Sequence, residues 1–421
     1  MPGKSTKEGR LAFLSNFNHP VQDYSNTLPY MLGGLTLVCI VLLFLSGIYM
    51  ALFYVPTPSG AYGSTLNMIQ NVPFGGFARS VHFWTSNIIV LLIALHIARI
   101  IITGSYKKPR RLLYFVGLLM LFTVLAIMYL GTILPMDQIG TDAAIRFQQI
   151  AMQWGINIPI SEIIGPTQVL HINVLILVLI TLLGIHMYLI EKLGISPKSG
   201  KKTVSRATAG EGKSTFLSHL TLLAGAGLLL TAGIGALALL MPAGLGHPGV
   251  YDPSVMITKP VETLFFVNDI MLDYFGTSSL LWGPLLLFAL LLAFPILDRS
   301  KYTYWRRRIP FMLLGLFILG WAIYFISVDA LNPTTFNGAF PTPVSNATIA
   351  QAITQNAALA NTPGMYYVSN GTAAGPADVY GGFVNIQYQR PSEVPVIAAA
   401  LAVLAGLGAA ILIVERRKHL K

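Results

Sequence analysis

The chain has 421 residues, of which 54% are hydrophobic and only 10% are charged. A soluble protein of two or three domains needs more polar surface than this, so the composition predicts a membrane protein. The formal net charge is +11, but the basic residues are grouped in a few short loops rather than along one face. This grouping argues against nucleic acid as a partner and favours membrane lipids.

Eight apolar runs are long enough to cross a bilayer as α-helices. In chain order they cover residues 30–54, 80–103, 112–134, 169–190, 217–241, 280–297, 310–328 and 395–414. The loops after the second, fourth and sixth runs, and the segment after the eighth, are rich in lysine and arginine. Basic loops stay on the cytoplasmic side, so we expect both termini in the cytoplasm and the chain in the cell (plasma) membrane. The predicted fold class is an all-α membrane protein with eight transmembrane helices.

A polar segment rich in lysine, serine, threonine and glycine divides the chain near residue 205. Its composition is typical of a solvated linker. We therefore expect two four-helix transmembrane domains, 1–205 and 206–421, the second with an outer pocket loop and a long outer loop at 329–394. The single cysteine, Cys39, lies in an apolar run, which excludes a disulfide within the chain and indicates a packing residue.

Four histidines lie in two of the predicted transmembrane helices. His82 and His96 are fourteen positions apart in the second helix, and His171 and His186 are fifteen apart in the fourth. At about 100° per residue, both spacings return to within roughly 60° of the same helix face. Both helices run from outside to inside, so His82 is expected at the depth of His171, and His96 at the depth of His186.

An imidazole in the hydrocarbon region is costly unless it has a partner. Two neutral imidazoles on facing helices suit the two axial positions of a haem iron, so these matched depths predict two haems. A single membrane histidine is more often a hydrogen-bonded packing residue, but four at matched depths favour a metal. Zinc is a weaker interpretation because a tetrahedral site needs three or four ligands close together.

Glycines on the neighbouring helices repeat the fourteen-residue spacing, in the pairs Gly33 with Gly47 and Gly117 with Gly131. Without side chains there, a flat macrocycle could approach the backbone, although glycine pairs in membrane helices also serve helix packing. Arg79, three residues before His82, is expected at the outer interface. It could pair there with a haem propionate or extend toward water.

These residues lie in motifs that resemble, over nearly the whole chain, the cytochrome b family of quinol-oxidising bc-type complexes. Besides the histidines, the motifs are Leu32-Gly33-Gly34 with Gly47, Arg79-Ser80-Val81-His82, Gly104-Ser105-Tyr106-Lys107-Lys108-Pro109-Arg110, Leu134-Pro135-Met136-Asp137-Gln138-Ile139-Gly140 and Gly194-Ile195-Ser196. The fifteen-residue spacing and the Asp-Gln-Ile-Gly run are closest to the chloroplast-type branch. The second half is fused on the same chain, as in the mitochondrial type.

The resemblance implies one subunit of a homodimer that works with a Rieske iron-sulfur protein and further respiratory subunits. It implies two non-covalent b-type haems, a low-potential one held by His82 and His171 and a high-potential one held by His96 and His186. Quinol would be oxidised near the outer haem, with one electron passing to the Rieske protein and the other inward to a second quinone site. Electron transfer across the membrane would then contribute to proton translocation.

The sequence departs from the family pattern at three places. The usual outer-pocket run Pro-Glu-Trp-Tyr is here Pro260-Val261-Glu262-Thr263. Glu262 is the candidate proton acceptor, and the alternatives are Asp269, Asp273 and His247. Met31 stands where the chloroplast-type branch has a haem-tethering cysteine, so no covalent haem is expected. Pro166 replaces the arginine that usually precedes the first histidine of the fourth helix.

Two other functions fit parts of the sequence. A di-haem membrane anchor of a dehydrogenase would share the histidines but lack the pocket elements at Asp137-Gln138 and 260–263. A proton-coupled transporter would use membrane histidines and acids to relay protons or bind a solute. On the inner side, Glu191 and His219 are interpreted as solvated interfacial residues.

Overall fold

The computed structural model describes residues 20–196, 214–245, 288–296, 298, 306, 308–314, 317 and 393–420. The elements in chain order are strand β1 (Pro20–Val21), a 3-10 turn (Asp23–Asn26), α1 (Leu28–Ala51), α2 (Ala61–Asn71), α3 (Gly75–Thr103), α4 (Arg111–Ile133), α5 (Gln138–Gln153), α6 (Ile160–Gln168), a π turn (Val169–Val174), α7 (Leu175–Leu193), strand β2 (Ser214–Thr215), α8 (Phe216–Leu240) and α9 (Val394–Leu420). Residues 288–296 and 309–314 are also helical.

Six of the predicted transmembrane helices are confirmed. They are α1, α3, α4, the continuous rod from α6 through α7, α8 and α9, each long and apolar enough to cross a bilayer. The structure describes only parts of the sixth and seventh predicted helices, at 288–296 and 309–314, and these parts are helical. Most of the two long outer loops lies outside the described residues. The helical membrane fold is therefore confirmed.

The bundle is built from two helix pairs. α1 packs along α3, and α4 packs along α7. α8 packs against both α1 and α3, and α9 packs along α8. The predicted packing residue Cys39 is fully buried, in a cluster with Ile89, Val90 and Ile234. α3 therefore lies beside α1, which carries Gly33 and Gly47. The rod that carries His171 and His186 lies beside α4, which carries Gly117 and Gly131.

Three shorter helices pack together at one end of the first half. This end is predicted to face outward and is called the outer end, and the opposite end is called the inner end. Their apolar cluster includes Ala61 of α2, Ala144 of α5 and Ile163 of α6. An amphipathic segment at 141–154 is predicted from sequence, and α5 confirms it. Asp137 begins this helix by accepting a 2.9 Å hydrogen bond from the Gly140 amide, which satisfies one amide of the first turn. α2 is not predicted, because its apolar residues are too few for a transmembrane run.

The fourth transmembrane helix contains one π turn, Val169–Val174, which includes His171. A π turn closes its hydrogen bonds one residue later than an α turn, so it takes up about one extra residue. The His171–His186 spacing is one residue longer than the His82–His96 spacing. The wider turn accommodates that extra residue and reduces the angular offset between the two rings.

The two halves of the chain are joined at the inner side. β1 pairs antiparallel with β2, and a buried polar cluster, here called the inner clasp, contains Tyr106, Lys107, Asp298 and Arg308. Asp298 receives Lys107 Nζ at 2.9 Å, Arg308 Nε at 2.6 Å and the Tyr106 hydroxyl at 2.5 Å. The inner clasp therefore ties the α3–α4 loop to the second half.

Candidate functional site

The outer level of the site contains two histidines, each facing one glycine of a neighbouring helix. A Cβ atom added to Gly47 of α1 would lie 3.4 Å from Cε1 of His82. A Cβ atom added to Gly131 of α4 would lie only 2.6 Å from Cε1 of His171. Imidazole therefore occupies the space that a side chain would need at Gly131, whereas a Cβ atom at Gly47 would touch the His82 ring at an ordinary contact distance.

The inner level repeats this arrangement. A Cβ atom on Gly33 would lie 3.1 Å from Cε1 of His96, and one on Gly117 would lie 3.4 Å from Cε1 of His186. The sequence suggests that these glycines give a macrocycle access to the backbone. Among the described residues, the atoms nearest to the missing side chains belong to the histidine rings. Access of a macrocycle to the backbone at these glycines stays a prediction.

The outer rings face each other across the bundle. The centroids of the His82 and His171 rings are 6.5 Å apart, with their planes at 59°. A metal–imidazole bond is roughly 2 Å long and a ring nitrogen lies about 1 Å from the ring centre. Two rings bound to one ion would therefore have centres about 6 Å apart by the same bond lengths. The observed 6.5 Å between the His82 and His171 ring centres is close to that separation.

Hydrogen bonding defines which nitrogen of His171 is free. Its Nδ1 lies 2.7 Å from the carbonyl oxygen of Ile127. A carbonyl can only accept, so Nδ1 carries the proton and Nε2 keeps its lone pair. A metal-binding histidine normally has this kind of support on its other nitrogen. His82 Nδ1 has a different partner, the Ser46 hydroxyl at 3.0 Å.

The inner rings are supported differently. Among the residues that the structure describes, neither His96 Nδ1 nor His186 Nδ1 has a hydrogen-bond partner, although both atoms are buried. The Leu113 backbone lies close to the His186 ring. Each inner ring lies beside a glycine of its neighbouring helix, His96 beside Gly33 and His186 beside Gly117. Their pairing on one iron stays a prediction.

The candidate metal ligands are histidines that occur in pairs. Within the described ranges there is no group of three or more histidine, cysteine, aspartate or glutamate residues that could hold a metal ion. Tetrahedral zinc requires three or four such ligands. Two facing imidazoles instead match the axial positions of a haem iron.

Other predicted site residues lie apart from the rings or outside the described residues. Arg79 Nη1 donates a 2.7 Å hydrogen bond to the Ala243 carbonyl, so it holds the segment after α8, and its pairing with a propionate stays a prediction. Glu262 lies outside the described residues, as do the alternatives Asp269, Asp273 and His247. The interpretation of His219 as a solvated residue is wrong. Its ring is buried, with Nδ1 at 3.2 Å from Asn26 Oδ1.

Sequence reasoning missed the groups that support the outer rings. Ser46 directly precedes Gly47 in an otherwise apolar run. Because Gly47 is expected to face the haem level of His82, the neighbouring hydroxyl could have been recognised as a candidate partner of that ring. The Ile127 carbonyl gives no such signal, because every residue supplies a backbone carbonyl. The His171 ring can reach this carbonyl because Gly131, four positions later, has no side chain in the space that the ring occupies.

Fold and site first define a class of protein: an integral, multi-pass helical membrane protein with facing histidine pairs between its helices. The family Cytochrome b/b6/petB matches residues 20–194. Cytochrome b6 of Heliobacterium mobile is 35% identical over 191 residues, which cover 42% of this chain and 89% of that protein. Cytochrome b6 of a Synechocystis species is 35% identical over 184 residues, covering 40% of this chain and 81% of that protein.

The chain belongs to the cytochrome b/b6 family. It is therefore a membrane protein of electron transport, from a family of haem-containing oxidoreductase subunits. A chain of a solved structure titled hyperthermophilic respiratory Complex III has the same fold, with a TM-score of 0.67 and 18% identity. That likeness covers 97% of both chains, so the shared fold extends beyond the family match into the second half.

Proposed function

We propose that the chain is the cytochrome b subunit of a quinol-oxidising respiratory complex. In this proposal it holds two b-type haems at two depths, transfers electrons across the membrane and contributes to proton translocation. The facing of His82 and His171, at 6.5 Å between ring centres, is the observation that carries it. When bound, the haems supply the one-electron redox chemistry that side chains lack.

The four histidines have defined roles in this proposal. His82 and His171 hold the outer iron, and His96 and His186 hold the inner iron. Each of the two transmembrane helices contributes one ligand to each level, so α3 and the rod from α6 through the π turn to α7 fix the separation of the two irons. Rigid transmembrane helices keep such ligands in place better than loops do. Arg79, at the outer end of α3, is proposed to neutralise a haem propionate.

Quinol oxidation also releases protons, which a pocket carboxylate can accept. We assign this role to Glu262, in the outer loop of the second half. The proposed partners are a Rieske iron-sulfur protein as electron acceptor, a second copy of the chain and further respiratory subunits. The proposed topology has eight helices in the plasma membrane, four in 1–205 and four in 206–421, with both termini cytoplasmic.

A reduced-minus-oxidised spectrum of the purified full chain tests this proposal. We expect b-type haem bands and about two haems per chain, one for each histidine pair. The haem should leave the protein under denaturing conditions, because the proposal includes no covalent attachment. A preparation that folds in detergent but contains no haem would contradict the proposal and favour a transporter. One haem per chain would contradict the two-level arrangement.

A further inference from the structure

Ser46 lies on α1, one residue before Gly47, and its side chain faces the outer level of the site. The residue is buried, with 8% of its surface exposed. Its hydroxyl oxygen lies 2.7 Å from the Leu42 carbonyl, 3.2 Å from the Leu43 carbonyl and 3.0 Å from Nδ1 of His82. Three polar groups therefore meet at one hydroxyl within an apolar helix.

The direction of the bond to His82 follows from the number of protons available. A serine hydroxyl donates one hydrogen bond and accepts up to two. The carbonyls of Leu42 and Leu43 can only accept, so the single hydroxyl proton points toward them. The contact with His82 must then run from the ring Nδ1–H to the serine oxygen. This leaves Nε2 of His82 unprotonated and available as a ligand.

Ser46 also makes His82 different from the other three rings. His171 donates to a backbone carbonyl, and His96 Nδ1 has no partner within the described part of the chain. Among these four rings, His82 is the one whose Nδ1 meets a side-chain hydroxyl. The Leu43 backbone also lies close to the His82 ring, but a backbone group cannot be removed by substitution, whereas the Ser46 hydroxyl can.

We propose that Ser46 is a positioning residue of the outer site, which holds His82 in the Nδ1–H tautomer and tunes the reduction potential of the iron bound there. This inference rests on the proposed function, in which His82 is an iron ligand. A ring that donates from Nδ1 is a more basic ligand at Nε2. A more basic ligand stabilises the oxidised iron, so the contact lowers the midpoint potential of the outer haem.

The test is a redox titration of the full-length protein, followed by visible spectra in which the two haems are resolved. Loss of such a supporting bond typically costs about tenfold in metal affinity or more. If the protein with oxidised iron loses this tenfold in affinity and the protein with reduced iron does not, Ser46→Ala raises the outer midpoint potential. The rise is about 59 mV, the value for a tenfold change in a one-electron couple. The inner midpoint should stay unchanged. Ser46→Thr, which keeps the hydroxyl, should restore the outer value.

Thr36 provides a matched control on the same helix. Its hydroxyl donates to the Leu32 carbonyl at 2.9 Å, so Thr36→Val removes a similar helix hydroxyl away from the outer level. We expect no change in either potential. If Ser46→Ala loses the outer haem altogether, Ser46→Cys provides the second variant, because its weaker acceptor should give a smaller shift in the same direction.

An unchanged outer potential in Ser46→Ala, or equal shifts of both haems, would overturn the role of Ser46. Haem loss in Ser46→Ala combined with an unshifted potential in Ser46→Cys would overturn it as well. A failure of the proposed function is distinguishable from these results, since the unmodified protein would then contain no haem to titrate.

Discussion

At the scale of single residues, the site depends on side chains that are absent as much as on those that are present. Each of the four rings occupies the space beside one glycine, and the fit is tightest between Gly131 and His171, at 2.6 Å, and looser between Gly47 and His82, at 3.4 Å. Interiors are close-packed, so a single added methyl group is felt where no space remains. The two outer glycines should therefore respond differently to the same substitution.

We expect Gly131→Ala to weaken haem retention at the outer level and Gly47→Ala to leave it near the normal value. The first substitution forces the His171 ring to move, an overpacking cost of about 1–3 kcal/mol. The second places a methyl group at an ordinary contact distance. The measurement is the haem content of each variant during extended washing in detergent.

Gly184→Ala on α7 is the control, because a Cβ atom there meets nothing within 4 Å. It introduces the same methyl group into a transmembrane helix without contacting a ring. Equal haem loss from Gly131→Ala and Gly184→Ala would show that general helix effects, not the His171 contact, explain the result.

The residues of the site were predictable in different degrees. The histidines and glycines repeat along the chain at helical spacing, so they could be predicted from periodicity alone. Ser46 and the Ile127 carbonyl act through contacts with residues 36 and 44 positions away. Such contacts depend on how two helices are rotated against each other, which a single sequence does not give.

At the scale of elements, the six described transmembrane helices agree with the apolar runs to within a few residues, except where Ile160–Gln168 extends the fourth helix outward. Predicted positions 169–190 begin after Pro166. The helix begins before this proline, at Ile160, continues through it and then widens into the π turn at Val169–Val174. A proline removes one backbone donor, and a wider turn is a known adjustment to such a loss.

The inner clasp is the element-scale contact with the clearest energetic consequence. Arg308 is 1% exposed and also donates to the Ile101 carbonyl at 2.7 Å. Burial, followed by the hydrogen bond to Asp298, raises the pKa of Tyr106, so this phenol remains a donor at neutral pH. Burial lowers the pKa of Lys107. A buried charge set of this kind depends on every member being paired.

We expect Asp298→Asn to lower the stability more than Lys107→Met, and Lys107→Met to lower it more than the control Lys108→Met. Asp298→Asn removes the shared negative charge and replaces one of the two acceptor oxygens by an amide donor. It should cost about 3–5 kcal/mol, because Arg308 is left buried without its partner charge. Lys107→Met removes one charged hydrogen bond and should cost about 1.5–3 kcal/mol. Thermal unfolding in detergent, followed by loss of helical signal, gives the order.

Lys108→Met is the matched control, since Lys108 is exposed next to Lys107. A surface substitution of this kind is usually worth less than about 0.5 kcal/mol. If Lys107→Met and Lys108→Met lowered the unfolding temperature equally, the Lys107 contact with Asp298 would not contribute to stability.

At the scale of the whole molecule, the sequence similarity to the family and the fold similarity to a solved structure cover different lengths of the chain. The cytochrome b/b6 family matches residues 20–194, which contain all four site histidines. The likeness of fold to the respiratory Complex III chain covers 97% of this chain. The first half therefore contains the proposed haem sites, while the second half contains Glu262 and joins the first through β2, α8 and the inner clasp.

The pairing of histidines between α3 and the helical rod that runs from α6 through the π turn into α7 is the central claim. Haem content in a set of histidine variants tests it most directly. His82→Ala and His171→Ala should each remove the same one of two haems, and the double variant should remove no more than either single change. His96→Ala should remove the other haem. Loss of both haems in the His82→Ala, His171→Ala double variant, or different spectra remaining after the two single changes, would contradict the account.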